Sequence, residues 1–533
     1  MKQLTNQEPA FLKPDAKLEV TSSRWFVWPH LLAPVQRACN FAFRYVPSMQ
    51  SFVANPQLHI DAARNPQLAG GPYINLPLDD VPKVKDLLAR TLRDYAPLIA
   101  FANDLRAFNK MLKETATGES LDRMYALLPE SLAGKVELVY DVNNQPTIRV
   151  IEEIVYRSEL AANDRFEIAL SDISDEDRTF FMNTPRLDDE RMFFAEVRLD
   201  DPMIDTLVSM RLSPKPLHVL EPLFGAAAVG SDAFRRLFTA EPPKRNDPAY
   251  HGDRVRMRYF GHACVLLQSA RATVLVDPVV TCDAGDDGRL TLLDLPDRID
   301  YCVFSHGHQD HLSAEMMLQL RRRVGTFIVP RNKSGSISDP SLKLMLQRLG
   351  CANVHTADVF DEIAFDGGRI VSMPFTGEHG DLDIYSKQTI FVEIEGRRFF
   401  FLVDSDAIDP GLYDTVAQMV GRVDGLFIGM ECFGAPMSWL YGPLLGKPLS
   451  RKDNQSRRLS ASNSERAWRF VTKLGCSKAF IYALGQEPWM RYLMGEEFAE
   501  NSVQLQQIGT FLSKCNEGGV DVEYVKISKE LFY

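Results

Sequence analysis

Residues 301 to 313 read YCVFSHGHQDHLS: an apolar run ends at Ser305, and three histidines and an aspartate follow within six residues. His306 and His308, one residue apart in extended backbone, point both imidazoles to one side and can clamp a single ion. Asp310 and His311 come next, at the expected start of the helix SAEMMLQLRRR, and their different direction suits a second ion beside the first. The chain has ten histidines in all. Three of them in one window with an aspartate are poorly explained as scattered hydrogen-bonded core or surface groups.

The frame around this window is a series of short apolar runs, many ending at a polar or charged residue: VRMRYF, ACVLLQS, ATVLVDP, DYCVFSH, GTFIVPR, RIVSMPF, TIFVEIEG, RRFFFLVDSD and DGLFIGM. Between them, DPSLKLMLQRLG is expected to be a helix with Asp339 as N-cap, Pro340 at its first position and Gly350 as its stop. Such a sequence builds sheets covered by helices, with chemical groups at strand ends. Upstream, AEPPKRNDPAYHGD (240 to 253) sets three prolines among charges and reads as a linker. A chain of 533 residues is too long for one ordinary core, so we expect an α+β domain over 1–245 and a catalytic α/β domain over 246–533. In the first, residues 79 to 112 carry helical spacing interrupted near Pro97, and KVELVYDVNNQPTIRVIEEIVYRS reads as two strands around an Asn143-Asn144 turn. That domain holds no ligand constellation; scaffold, dimerisation and docking roles all stay open.

Composition removes several classes. A net charge of −11 repels polyphosphate, and the Arg321-Arg322-Arg323 run is expected on the solvated face of an amphipathic helix, so nucleic acid is a poor partner. No apolar stretch is long enough to span a bilayer and the N-terminus has no secretory pattern, so a cytoplasmic address is expected. Eight cysteines occur singly, with no C-x-x-C pair, which points to reduced thiols.

H-x-H-x-D-H after a strand resembles the signature of the metallo-β-lactamase superfamily. VRMRYFGHACVLLQSARATVLVDP resembles its opening hairpin, in which an aspartate at the strand end, here Asp277, buttresses the site. The resemblance covers residues 253 to 533 and implies an αββα sandwich, a fold that does not choose a reaction. The superfamily's third ligand to the first metal is usually a histidine after a glycine. MPFTGEHGDLD has Glu378 directly after Gly377 and His379 one place later. Two assignments stay open, His379 in a shifted register or Glu378 as a substitute, and Glu378 is favoured by its position. RRFFFLVDSDAID offers Asp404 at the strand end as the bridging carboxylate, while Asp406 reads as a turn or cap.

Hydrolytic members take a further histidine near the C-terminus. No histidine follows His379 here, and FIYALGQEPWM offers only Gln486 and Glu487 in its place. His306, His308, His311, Asp310, Glu378 and Asp404 then make an oxygen-rich set. Such a set suits a dinuclear iron site better than zinc, and the missing histidine leaves an open position on the second ion for O2.

The long N-terminal region, Glu378, the absent histidine and DGLFIGMECFGAPMSWLYGPLL followed by ALGQEPWM together resemble the diiron β-hydroxylases of nonribosomal peptide pathways, over the whole chain. That resemblance implies O2-dependent β-hydroxylation, in antibiotic biosynthesis, of an aminoacyl group held as a thioester on the phosphopantetheine arm of a peptide-synthetase carrier domain. In the chloramphenicol branch the group is L-p-aminophenylalanine. It implies two iron ions, one among His306, His308, Glu378 and Asp404, the other among Asp310, His311 and the shared Asp404, with no catalytic residue beyond these ligands. No G-x-G-x-x-G precedes a helix, so two electrons are expected from an external reductant; a homodimer is expected too.

The alternative is a dinuclear zinc hydrolase of an ester, lactone or phosphodiester, whose bridging hydroxide attacks the substrate. A non-catalytic scaffold ranks last. GKPLSRKDNQSRRLS (446 to 460) reads equally as a carrier-docking patch or an exposed polar loop, and Glu431, Trp439 and Tyr441 as a substrate wall or as packing.

Overall fold

The computed structural model describes residues 5–65, 68, 71–162, 165–174, 177–282, 288–495 and 497–533. Among them, two seven-stranded sheets face each other in the C-terminal part. The first runs in the order Val354–Ala357, Val324–Pro330, Ile299–Val303, Thr273–Val276, Val265–Gln268, Arg256–Tyr259, Lys529–Phe532. The second runs Glu362–Phe365, Gly368–Met373, Thr389–Ile394, Arg397–Val403, Gly425–Gly429, Lys478–Tyr482, Asp521–Tyr524.

Arg397–Val403 shows why such strands are apolar on both faces. Phe399 and Phe401 point into the core between the sheets, while Phe400 and Leu402 point out to a helical layer. Sheets covered on both sides give near-continuous apolar runs rather than alternation. The outer layer over the second sheet is Pro410–Val420, Ser464–Leu474 and Val503–Glu517, each opened by a side-chain cap from Asp409, Asn463 and Ser502. Ala314–Leu320 and Leu342–Arg348 cover the first sheet. This is the αββα sandwich of the metallo-β-lactamase fold.

The N-terminal region is α+β. A four-stranded antiparallel sheet (Trp25–Phe26, Lys17–Ser22, Phe166–Ser171, Met192–Val197) accompanies the helices Pro34–Asn40, Val46–Ala54, Val81–Asp94 and Ala96–Thr115. The hairpin Val136–Tyr140/Pro146–Val150 turns where the sequence places it, with Asn144 in the left-handed region. This region does not hang from a flexible tether. One continuous apolar cluster joins Trp25, Trp28 and Phe181 to Leu275, Met317, Leu342 and Trp489.

Three local expectations need correction. The helix expected from Asp339 begins at Leu342, capped by Ser341, whose hydroxyl accepts from the Leu344 amide. Asp339 is buried and accepts from the amides of Lys333, Tyr385 and Ser386, so it ties loops together instead of capping. The helix after the histidine window starts at Ala314, which leaves Asp310 and His311 on the turn before it. The arginine run is not a solvated face: Arg321 is 3 % exposed and donates to Asp205 and to the carbonyls of Asp201 and Leu349. Arg323 binds the carbonyls of Leu295 and Pro296. Only Arg322 of the three keeps an exposed side chain, and it too pairs with Asp205. Among the described residues no helix is long and apolar enough to cross a membrane.

Candidate metal centre

Strand Ile299–Val303 delivers the histidine window to one edge of the sandwich. Gly307 lies between the two imidazoles in close contact with Leu342: a Cβ there would stand 2.8 Å from Leu342 Cδ2 and would oblige that side chain to move. Asp277, at the end of the neighbouring strand, accepts from the Ser305 amide (2.7 Å), the Ser305 hydroxyl (2.6 Å) and His311 Nδ1 (3.1 Å). The last bond fixes the His311 ring so that Nε2 faces inward. Ser305 Oγ lies 2.9 Å from His306 Nδ1 and orients that ring in the same way.

The second sheet supplies the carboxylates. Glu378 follows Gly377 in a tight turn where both have positive φ (60° and 86°). A non-glycine residue held there is strained, a condition that collects at functional sites. Glu378 Oε1 lies 2.5 Å from His308 Nδ1 and Oε2 3.3 Å from His306 Nε2. Asp404 Oδ2 lies 3.0 Å from His311 Nε2 and 3.7 Å from His306 Nε2, between the two halves of the site. All six residues singled out from the sequence therefore converge.

Sequence reasoning missed His262. It lies in FGHACVLL, in a left-handed turn with φ 49°, and its Nε2 stands 3.0 Å from Asp310 Oδ2. Glu487 accepts from the His262 amide (2.6 Å) and the Tyr259 hydroxyl (2.5 Å), which pins this turn. The position expected to stay open beside the second ion is thus faced by an imidazole from the opening hairpin. The available signal was a lone histidine directly after a glycine at a strand end. Glu431, which the sequence leaves open between substrate wall and packing, lines a cavity beside Asp310, Glu378 and Asp404.

The other candidates have contacts of their own, His379 through Nδ1 alone. His379 Nδ1 lies 2.9 Å from the Tyr441 hydroxyl and 3.1 Å from His308 Nε2. Asp406 pairs with Arg466 and accepts from the Ser462 hydroxyl. Gln486 accepts from the Phe498 amide.

Three overlapping ligand groups result: His262 with Asp310 and His311, His306 with His308 and Glu378, and His306 with His311 and Asp404, each with its ligand atoms within 4.8 Å of one another. Buried Nε2 atoms of His262, His306 and His311 and Oε2 of Glu378 have no hydrogen-bond partner; His379 Nε2 has none either, but it lies outside the three groups, 3.6 Å from Glu378 Oε2. Polar atoms left so in an interior are costly unless a ligand engages them, so the donor set fits two metal ions. Without an ion, the Asp310 and Asp404 carboxylates push the His311 pKa well above its ordinary value despite burial, and His311 and His262 hold that of Asp310 well below its own; a bound cation takes the place of that proton, so metal binding releases it. Burial instead lowers the pKa of His379 well below the usual imidazole value, keeping it neutral.

Beside the groups lies a cavity of about 150 Å³, walled by Phe180 and Met182 from the N-terminal region and by Trp439, Leu493 and Met494.

Comparison with known proteins is consistent with this geometry. Residues 11–242 match the diiron non-heme beta-hydroxylase N-terminal domain and residues 272–475 the beta-lactamase superfamily domain. A crystal structure of CmlA, a diiron beta-hydroxylase from Streptomyces venezuelae, superposes with a TM-score of 0.90 at 31% identity, covering 99% of this chain and 100% of that one. A metal-dependent hydrolase of Staphylococcus aureus is 23% identical over 33% of this chain and 72% of its own length. The 4-amino-L-phenylalanyl-[CmlP-peptidyl-carrier-protein] 3-hydroxylase of Streptomyces venezuelae is 32% identical over 98% of this chain and 99% of its own. With both halves matched and the likeness running the full length, the chain belongs to the family of diiron non-heme β-hydroxylases.

Proposed function

We propose that this chain hydroxylates the β-carbon of an aromatic aminoacyl group carried as a thioester on a peptide-synthetase carrier domain. Its iron pair is held by His306, His308 and Glu378 on one side and by Asp310, His311 and His262 on the other, with Asp404 between. The observation that carries this reading is a two-ion set of four imidazoles and three carboxylates, with Glu378 following Gly377, that opens onto a cavity whose other walls are largely apolar.

The iron pair, when bound, supplies the activation of O2. The chain's own residues do the rest. Asp277 and Ser305 hold His311 and His306 in one ring orientation, so the ligand geometry is preset. Phe180, Met182, Trp439, Leu493 and Met494 hold an aryl side chain against the open edge of the centre and exclude water. Glu431 stands on that wall outside the three groups; burial, Asp404, Asp310 and Glu378 push its pKa well above the ordinary value, and the ammonium group of an aminoacyl substrate would draw it into the charged form and pair with it. Because Phe180 and Met182 come from the N-terminal region, we assign residues 1–245 as the domain that roofs the centre and receives the carrier, and 246–533 as the catalytic domain. The Streptomyces venezuelae 3-hydroxylase acts on 4-amino-L-phenylalanyl carried by a peptidyl carrier protein, and we take the same aminoacyl group as the first candidate. Two electrons come from an external donor.

The test is anaerobic reduction of the iron-loaded protein, addition of carrier-bound 4-amino-L-phenylalanine, and readmission of labelled O2. One labelled oxygen atom in the aminoacyl group is the expected result. Bound zinc, no O2 consumption, and ester or lactone cleavage without oxygen would establish the hydrolase instead.

A further inference from the structure

The rings around the metal centre do not stop at its ligands. Tyr441, whose hydroxyl touches His308 and His379, packs against His30 with ring centres 5.5 Å apart. His30 lies 4.5 Å from Trp28, and the Trp28 indole N–H donates to the Tyr45 hydroxyl at 3.0 Å. Tyr45 stacks on Trp25 at 4.1 Å and meets Phe41 edge-on at 5.4 Å, and Phe41 stacks on Tyr95 at 4.5 Å. Tyr95 lines a cavity of about 570 Å³ in which Arg37, Lys135, Arg157 and Arg165 outnumber Asp94 and Glu159. The path therefore runs from the buried centre to a basic cleft on the N-terminal region.

The backbone carrying it is irregular in a specific way. Phe41–Tyr45 form a π-helical segment between the helices Pro34–Asn40 and Val46–Ala54, and such insertions are frequently found at functional sites. Arg44, on the same turn, donates to the carbonyls of Trp439 and Leu440, which ties the segment to the residues just before Tyr441. Burial holds the His30 pKa down to about 3, so its ring is uncharged.

Tyrosine and tryptophan are among the side chains most easily oxidised by one electron, and transfer between rings in contact is fast because tunnelling decays exponentially with distance. We propose that Tyr441, Trp28, Tyr45 and Tyr95, bridged by His30 and Phe41, form a relay that carries oxidising equivalents from the iron centre to the basic cleft when O2 reacts there without substrate. The proposal rests on the oxygenase reading above. In each event Tyr441 would give one electron toward bound, oxidised iron, its phenolic proton staying within the hydrogen bond to His379 Nδ1. An electron from Trp28 across His30 restores Tyr441, which recovers that proton. Tyr45 and then Tyr95 refill in turn: the positive charge moves from Trp28 through Tyr45 with no proton leaving either ring, and the Tyr95 proton stays in its hydrogen bond to the Arg165 carbonyl until the cleft reductant restores the electron. At the cleft a one-electron reductant of the ascorbate or thiol class is oxidised and releases its proton to water. Such rings answer only to a strong oxidant, so the path drains oxidising equivalents and does not admit the low-potential electrons that start turnover.

The test mixes reduced, iron-loaded full-length protein with O2 in the absence of carrier-bound substrate, freezes it on the millisecond scale, and compares wild type with Trp28→Phe and Tyr45→Phe. The expected result is tyrosyl and tryptophanyl signals by electron paramagnetic resonance in wild type. In the variants the signal beyond Tyr441 falls severalfold and oxidation of Met182 and Met494, read by mass spectrometry, rises severalfold. Iron content and hydroxylation of carrier-bound substrate stay unchanged. Tyr45→Phe keeps the ring and carries the test should Trp28→Phe fail to fold. Oxygen consumed with no protein radical, or with equal radical yield and methionine oxidation in all three proteins, overturns the relay alone. An iron-loaded protein that consumes no O2 overturns the oxygenase reading and the relay with it.

Discussion

His262 Nε2 stands 3.0 Å from Asp310 Oδ2, so the opening hairpin and the histidine window share one half of the metal centre. We expect His262→Ala to lower bound iron from two equivalents to about one while leaving the His306, His308 and Glu378 half loaded. Metal analysis of the purified variant checks this, and full stoichiometry would remove His262 from the ligand set.

Glu378 and His379 are neighbours with opposite engagements: one reaches His306 and His308, the other hydrogen-bonds Tyr441. Glu378→Ala should strip iron from the first half of the site, whereas His379→Ala should retain it. Loss of metal in the second variant alone would reverse the assignment.

Asp277 touches no candidate ion position but holds His311 by its Nδ1. Partners of this kind change metal affinity by roughly 10- to 100-fold when removed. Asp277→Asn should therefore weaken iron binding by about that factor while preserving the fold, measured by chelator competition alongside near-ultraviolet circular dichroism.

Glu152 lies at the joint between the two parts of the chain, accepting from the Ser341 amide at 2.9 Å and from Asn332 at 2.8 Å. Burial pushes its pKa up from 4.5 to about 7. The folded protein then holds a proton that the unfolded chain has lost, so the contribution is most favourable below pH 4.5 and is lost as pH rises to about 7. At ~1.4 kcal/mol per pKa unit the change is a few kcal/mol. Denaturant titrations at several pH values should show this slope in wild type and not in Glu152→Gln.

Much of the site was legible because four of its residues lie in one hexapeptide, Asp404 directly follows an apolar strand and Glu378 follows a glycine in the loop after another, so position in sequence reports position in space. His262 was not, because a single histidine in a hairpin has no neighbour to mark it, and only the packing of Thr273–Val276 between the hairpin and the window brings it across. Asp339 followed by Pro340 has the local form of a helix start. Its carboxylate is instead claimed by amides distant in sequence, a tertiary contact that no local rule contains. The arginine run failed for a related reason. Amphipathic spacing says which face is polar but not that a second layer, with Asp205 in it, lies on top.

The continuous apolar cluster between the two parts of the chain has a consequence for biosynthesis. Trp25, Trp28 and Phe181 emerge from the ribosome long before Met317, Leu342 and Trp489 exist to cover them. The nascent N-terminal half therefore waits with an oily face uncovered, the condition under which chaperones are recruited and aggregation begins. Expression of residues 1–245 alone should reproduce that waiting state permanently.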